Sequence, residues 1–423
     1  MRHTSVASTG SGDPASGHNR PMPSFAPLYD RRLVGWLSLS QLITWGSVFY
    51  TFALLLEPVE RELGLTRAQS SLAFSLALLA EGLLAYPVGR WIDAGHERIV
   101  MTGGSVLVAA CLAGHALVDS IAGFYLVWAA LGAALAATLY NPVFAVVTRR
   151  FPLDFRRAII TLTFLGGLAS TVFIPLSAWL IQSLGWRPAL LVLAAINLLV
   201  CAPLHALQLR GAPRRSAAAA GPAIARSPSA YLRSAPFLLI GVFVVCTMAV
   251  AAALPPHMIS LLRGAGLAEA WVIAIPASIG ALQVVGRLLL FFFEHRFDIH
   301  AANRLIPVLI PLGLAALLAG AGHAWVALLF VLLYGLGNGM LTIVKGTAIA
   351  QYVNREHVAS LNGALGLPTA ISRALAPLVL GLLWSPEGGY TSGLWLLLGL
   401  GVAAVVALYL AQRRSLVPLQ PAA

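Results

Sequence analysis

Four ionisable side chains, Glu81, Arg287, Lys345 and Arg373, stand inside long apolar stretches that hold almost no other charge. A charge at bilayer depth costs roughly 3 kcal/mol or more, so such a residue faces water, a partner or a cargo. The guanidinium of Arg373, flanked by Ala370, Ile371, Ala374 and Leu375, offers a planar fork for a carboxylate or another oxyanion and is the expected principal counter-charge. Lys345, the only lysine of the chain, and Arg287 lie nearer one end of their stretches. Each either joins that site or runs its stem along apolar surface toward water. Glu81, among Leu78, Leu79 and Leu83, is the carboxylate placed to carry a proton, unless an arginine holds it permanently. Three cations against one acid favour an anionic cargo.

The stretches that position these groups read as membrane spans. Of 423 residues, 59% are hydrophobic and 10% charged, with a mean hydropathy of +0.85; in a soluble globule about a quarter of the residues are charged. Apolar runs are expected to cross at 33–56, 70–90, 99–118, 122–147, 159–182, 188–207, 236–262, 270–293, 304–323, 325–352, 361–384 and 392–411, each near or above the roughly 20 residues a helix needs. Lipid offers the backbone no hydrogen bonds, so the expected class is an all-α membrane protein. Cys111, Cys201 and Cys246 all fall inside spans, with neither a disulfide framework nor metal-ligand spacing. No metal or other cofactor is expected.

The net charge of +12 orients the chain and calls for no nucleic acid. Twenty of the 27 basic residues fall in the tails and alternate loops, among them Arg31, Arg32, Arg90, Arg98, Arg149, Arg150, Arg210, Arg214, Arg215, Arg413 and Arg414. The opposite loops hold only Arg61, Arg67, Arg187 and Arg263. By the positive-inside rule both termini are expected in the cytoplasm, with the protein multi-pass in a bacterial inner membrane.

Residues 1–30, rich in Ser, Gly and Pro and without a signal-peptide core, are expected to form a disordered cytosolic tail. At 208–233 the apolar run gives way to Pro, Ala and Arg, a linker between an N-terminal bundle at 31–207 and a C-terminal bundle at 234–412, with 413–423 as a second tail. The halves echo each other at an offset of about 202: Pro175 falls on Pro377, Gly132 near Gly335, and Glu81 on Gln283. A duplicated architecture of this kind places a substrate site near the midplane between the repeats. Gly89-Arg90 also matches Gly286-Arg287 at 197.

After the second span, the run from Gly89 through Asp93 to Arg98 resembles the cytoplasmic signature loop of the major facilitator superfamily, although Ala94 stands where a basic residue is usual. The resemblance implies two six-helix bundles and a gate in which Gly89 permits close helix approach while Asp93 and Arg98 tie the cytosolic ends together. A finer resemblance covers most of the chain. Gln41, Trp45, Gly46, Tyr50 and Glu57-Pro58, then Gly185-Trp186-Arg187, then Gly335, Gly337 and Gly339, are similar to the monocarboxylate and oxalate porter branch. That branch carries an acid four residues before a substrate-binding arginine in span eight; here the positions hold Gln283 and Arg287, with Leu288 where a proline is typical.

The resemblance puts Arg287, Gln283, Trp45, Tyr50 and Asn338 on cavity-lining spans beside Arg373 and Lys345, with His257 a further candidate. The expected protein is a monomeric secondary transporter of a small monocarboxylate-like anion, working by alternating access, with Glu81 as the proton-coupling site. The alternative is a proton-coupled exporter of cationic or amphipathic drugs built on Glu81. A membrane-embedded enzyme lacks a carboxylate cluster or a nucleophile with its base, and an ATP-driven pump lacks a P-loop.

Overall fold

A computed structural model describes residues 30–151, 154–211, 229–293, 299–320, 322–354 and 358–417. Among them twelve helices are long and apolar enough to cross a membrane: α1 (Arg31–Leu63), α2 (Arg67–Trp91), α3 (Ala94–His115), α4 (Ile121–Arg150), α5 (Arg157–Leu184), α6 (Trp186–Gln208), α7 (Ala235–Gly264), α8 (Glu269–Leu290), α9 (His300–Gly320), α10 (Ala324–Tyr352), α11 (Leu361–Leu382) and α12 (Thr391–Arg413). Six lie on each side of the expected linker, most of which falls outside the described residues, as do the N-terminal tail and the last residues of the C-terminal one.

Local chemistry sets the ends. The Asp30 carboxylate caps α1 by accepting from Arg32 N at 2.8 Å. α1 stops at Gly64, whose φ of +65° suits a residue without a Cβ. Thr66 and Gln69 then form a capping box that starts α2. α1 outruns the expected 33–56 because its last turns are amphipathic: Glu57, Glu60 and Glu62 stay helical past Pro58. Gly185, with φ +87°, turns the chain from α5 into α6, so that Trp186 Nε1 and Arg187 Nη2 both reach Glu62, at 2.6 and 2.7 Å.

Within each bundle small residues let backbones touch. The Ala77 carbonyl of α2 occupies the place a Cβ on Gly132 of α4 would need, and the Gln283 carbonyl of α8 does the same to Gly339 of α10. Without a hydrophobic drive between helices in lipid, such contacts carry much of the packing. Between bundles, α2 meets α11, α5 meets α8, and the end of α1 meets α7. Large apolar side chains such as Leu126, Leu199, Trp325 and Trp395 are left exposed on the outside, as suits a lipid-facing surface.

These contacts fix the register of the repeat. Ala77 with Gly132 corresponds to Gln283 with Gly339, shifts of 206 and 207 residues. At the seam, Ser75 Oγ accepts from Leu378 N at 3.1 Å and Thr171 Oγ1 accepts from Ala281 N at 3.0 Å, again 206 and 207 apart. Glu57 pairs with Arg263, its own equivalent at 206, on the pseudo-two-fold axis. The expected offset of 202 is therefore one helical turn short. A shift of four residues leaves the same face of a helix in view, which is why the shorter offset also aligns apolar and glycine positions. In the corrected register Glu81 is equivalent to Arg287, not to Gln283, and Arg373, at the shift of 207 that its span shows, to Gly166, next to Gly167.

Gly339→Ala should lower the thermal stability of the detergent-solubilised protein by about 1–3 kcal/mol, because the new methyl meets the Gln283 backbone. Gly346→Ala, where nothing lies within 4 Å, should leave the melting temperature unchanged or raise it.

Candidate functional site

The seam between the bundles is shut at the end away from the termini. Arg67 of α2 lies 2.8 Å from Glu60, donates to Tyr390 Oη at 2.5 Å and lies over the Trp384 ring at 5.0 Å. Arg263 of α7 pairs with Glu57 of α1. His257 of α7 is fully buried, with Nδ1 3.0 Å from Tyr390 Oη and Nε2 3.0 Å from the Pro377 carbonyl and 3.4 Å from Ser71 Oγ. The carbonyl only accepts, so Nε2 carries a proton, and the satisfied arrangement has Tyr390 donating to Nδ1 while it accepts from Arg67. Burial pushes the Tyr390 hydroxyl up to about 12, which keeps its donor proton in place. Deeper in, Leu378 N bonds Ser75 Oγ and Gly82 of α2 admits Ala370 of α11.

One turn further toward the termini the seal ends. Tyr86 lies on the same face of α2 as Gly82 and is 74% exposed; Leu367, one turn before Ala370 on α11, is 64% exposed. Gly89 and Gly366 have nothing within 4 Å of the place of a Cβ. The seam therefore gapes toward the end that carries both termini, and two arginines stand where the gap begins.

The first is Arg373, whose Nη2 lies 3.1 Å from Glu81 Oε2, a pair bridging the bundles with Glu81 almost wholly buried. The sequence separated a cargo-binding arginine from a proton-carrying acid; the structure joins them. The second is Arg287. Its Nη1 crosses the seam to donate to the Thr163 carbonyl at 2.6 Å, and it stands over Gly167, where a Cβ would come within 3.1 Å of Nη1. Its Nε is buried without a partner, and among the described residues no carboxylate pairs with it. The equivalent places of the pseudo-two-fold thus differ. At one, an acid meets an arginine; at the other, an arginine meets a carbonyl and a glycine.

Aromatic residues surround Arg287. A π-helical turn in α1, Trp45–Tyr50, and a break in α4 at Leu139, whose backbone is extended, interrupt two helices at neighbouring places. They set the Trp45 and Tyr140 rings 5.2 Å apart, with Phe144 stacked on Tyr140 at 5.2 Å. The Tyr140 hydroxyl packs over Gly166. Tyr50 touches the apolar cores of both bundles. Tyr50 and Tyr140 are the titratable neighbours that Arg287 senses, and Tyr334 is a neighbour of Tyr50. Trp45 Nε1 and Tyr334 Oη are buried donors without partners among the described residues.

The remaining expected residues divide. Gln283 is buried one turn from Arg287, with its backbone against Gly339. Lys345 does not run to water: its Nζ lies 2.8 Å from Met248 Sδ, and Arg373 is its charged neighbour. Asn338, expected at the cargo site, instead lines a small cavity inside the C-terminal bundle with Thr247, Pro307, Tyr334 and Gly401, because its face of α10 turns toward α7, α9 and α12. His257 belongs to the seal.

Among the described side chains, the expected gate loop ties nothing across the seam. Arg98 donates to the Ala206 carbonyl at 2.7 Å, inside its own bundle, and Gly89 lies open; the Asp93 side chain lies outside the described residues. The physical reason is that the terminal end stands apart, so charges there find partners at home. The acid they use is Glu97, fully buried, with Arg149 and Arg150 at 3.2 and 2.5 Å. Glu57, Glu60, Arg67, Arg263 and Tyr390 were missed as working residues. Their signal was the scarcity of basic residues in the opposite loops, where two of the four arginines lie near acids in sequence.

Two bundles related by a pseudo-two-fold and sealed at one end of a central seam define a membrane transporter. The sequence matches the Major Facilitator Superfamily over residues 37–299, and the chain belongs to that superfamily. Its fold is similar to that of a bacterial homologue of the human lysosomal transporter Spinster in an inward-facing, occupied conformation, at 16% identity and a TM-score of 0.70 over 91% of this chain and 97% of that one. It is also similar to a point variant of the nucleoside transporter NupG, at 16% identity and a TM-score of 0.71 over 90% and 99%. A bacterial homologue of the human drug peptide transporters PepT1 and PepT2 matches at 16% and 0.68 over 90% and 97%. At such identity the likeness is one of fold. No curated protein matches the sequence.

Tyr390→Phe removes the hydroxyl that links Arg67 to His257 and should weaken the seal by about 1–3 kcal/mol. A cysteine placed at Ser75 should then react faster with a membrane-impermeant maleimide than the same cysteine behind an intact Tyr390. Equal rates would mean that the hydroxyl does not hold the seal.

Proposed function

We propose that this transporter carries a small organic anion whose carboxylate binds Arg287. The observation that carries the reading is a part-buried guanidinium, its Nε wholly buried, with no acid partner among the described residues, at the seam position equivalent to Glu81. An unmatched charge withdrawn from water is costly, and a cargo carboxylate offsets that cost, since Gly167, against which Nη1 packs, supplies no acid. The fork of Arg287 suits a carboxylate. The finer likeness to monocarboxylate and oxalate porters, which matches Arg287 to a substrate arginine, supports the same reading.

In this reading Arg373 and Glu81 form the coupling element, with Lys345 beside them. Protonating Glu81 removes its charge from Arg373 and loosens the innermost contact of the seal. Deprotonation restores it. A transporter with this pair exchanges one charge partner for another as the bundles rock, with a proton as the candidate coupling ion. The cation-export alternative requires Glu81 to face a cationic cargo; its engagement with Arg373 argues against that. We place both termini in the cytoplasm of a bacterial cell with the protein in the inner membrane, which makes the conformer inward-open; the distribution of arginines supports this.

The test is a thermal-shift screen of purified protein against mono- and dicarboxylates, inorganic oxyanions and cationic drugs. A carboxylate should stabilise the wild type. Arg287→Ala should weaken that ligand by about 2–5 kcal/mol and Arg287→Lys by less. Unchanged binding in Arg287→Ala would overturn the assignment. Glu81→Gln should bind the same ligand yet lose stimulation of transport by a pH gradient; a Glu81→Gln protein that still responds to the gradient would remove Glu81 from coupling. A reporter fused after Arg233 or Arg414 should be cytosolic, and an external signal would reverse the orientation.

A further inference from the structure

The surroundings of Arg287 say more about the cargo than its charge. Near the guanidinium lie Tyr50, on the π-helical turn of α1, and Tyr140, after the break in α4, and Trp45 and Phe144 each pack against Tyr140. Trp45 and Tyr140 are 5.2 Å apart, and Tyr140 and Phe144 lie nearly parallel, 19° between planes. All four are partly exposed in spite of their depth. Two helices give up regular hydrogen bonding at this place, and irregular turns of this kind recur at binding sites.

The polar atoms there have one character. Arg287 Nε and Trp45 Nε1 are buried without partners among the described residues, and each has a proton to donate. No acid pairs with Arg287 among the described residues, and the other two cations inside the spans are engaged elsewhere, Arg373 with Glu81 and Lys345 against Met248.

Resting on the reading of Arg287 as the anion site, we propose that the cargo is an aromatic monocarboxylate: a carboxylate on the Arg287 fork, a flat ring against Trp45 and Tyr140, and an acceptor on the ring for Trp45 Nε1. A short aliphatic acid covers the charge and leaves the rings and the indole donor unmatched. A dicarboxylate needs a second free cation. A saturated ring has the apolar area but not the flat face that stacks on an aromatic wall.

Binding of benzoate, 4-hydroxybenzoate, cyclohexanecarboxylate, acetate and succinate to the purified full chain tests this by calorimetry. Benzoate should bind about twofold to tenfold more tightly than cyclohexanecarboxylate, the size of an aromatic contact beyond its area, and acetate and succinate more weakly still. Trp45→Leu should bring benzoate and cyclohexanecarboxylate to one affinity while leaving acetate unchanged. Trp45→Phe keeps a ring and should lose only the advantage of 4-hydroxybenzoate. Unliganded melting temperatures establish that each variant is folded, and Phe144→Leu gives a second test of the wall if Trp45→Leu is not. Acetate or succinate binding as tightly as benzoate, in an Arg287-dependent way, would sink the aromatic class and leave the anion site standing. Binding of no carboxylate, or carboxylate binding indifferent to Arg287→Ala, would remove the anion site itself.

Discussion

A charge withdrawn from water must meet another charge or a dense set of dipoles, and in this protein that requirement decides where the two bundles touch. Arg373 draws Glu81 across the seam, Arg263 draws Glu57 at the pseudo-axis, and Arg67 gathers Glu60, Tyr390 and Trp384. The apolar cores of the two bundles reach across the seam through few residues, Ala53, Leu54, Ile174 and Ala178 from one side and Ala252 and Ala374 from the other, and the polar contacts stand among these. Contacts of that kind are strong when complete and fail when one partner changes charge. A transporter needs both properties in turn.

The pseudo-two-fold makes the asymmetry of the seam informative. Glycines in α4 and α10 lay equivalent backbones on α2 and α8, and Ser75 and Thr171 accept equivalent amides across the seam. Against that sameness, one position departs: Glu81 meets Arg373 where Arg287 meets Gly167. On the proposed reading, a glycine rather than an acid beside Arg287 leaves the carboxylate to be supplied by the cargo.

Much of this architecture was legible in the chain. Apolar length and arginine distribution delimit the twelve spans, and rarity of charge singles out Glu81, Arg287, Lys345 and Arg373. What the sequence could not convey was facing. Asn338 and Arg287 sit on spans of the same class, yet one looks inward to its own bundle and the other across the seam, a difference of rotation about a helix with no apolar periodicity to reveal it, since lipid and core are equally apolar. The π-helical turn at Trp45–Tyr50 and the break at Leu139 leave no compositional mark either, and they place the aromatic wall. The repeat was visible but a turn out of register, because a helix looks alike after four residues.

The open half of the seam explains residues that have no role in the conformer at hand. A glycine within a helix costs about 1 kcal/mol relative to alanine, and Gly89 on α2 and Gly363 and Gly366 on α11 meet nothing within 4 Å. The shut half shows what such positions are for: Gly82 admits Ala370, and Gly381 admits Ser71 and the Arg67 carbonyl. Alternating access moves contacts of this kind from one half of the seam to the other. The cost of the idle glycines is then recovered when the terminal ends of α2 and α11 meet, and Tyr86 and Leu367, now bare, have the other helix to lie against. Arg373 and Glu81 pair at the level where the shut half gives way to the open one, which is why the proposed cycle takes their contact as the one that changes.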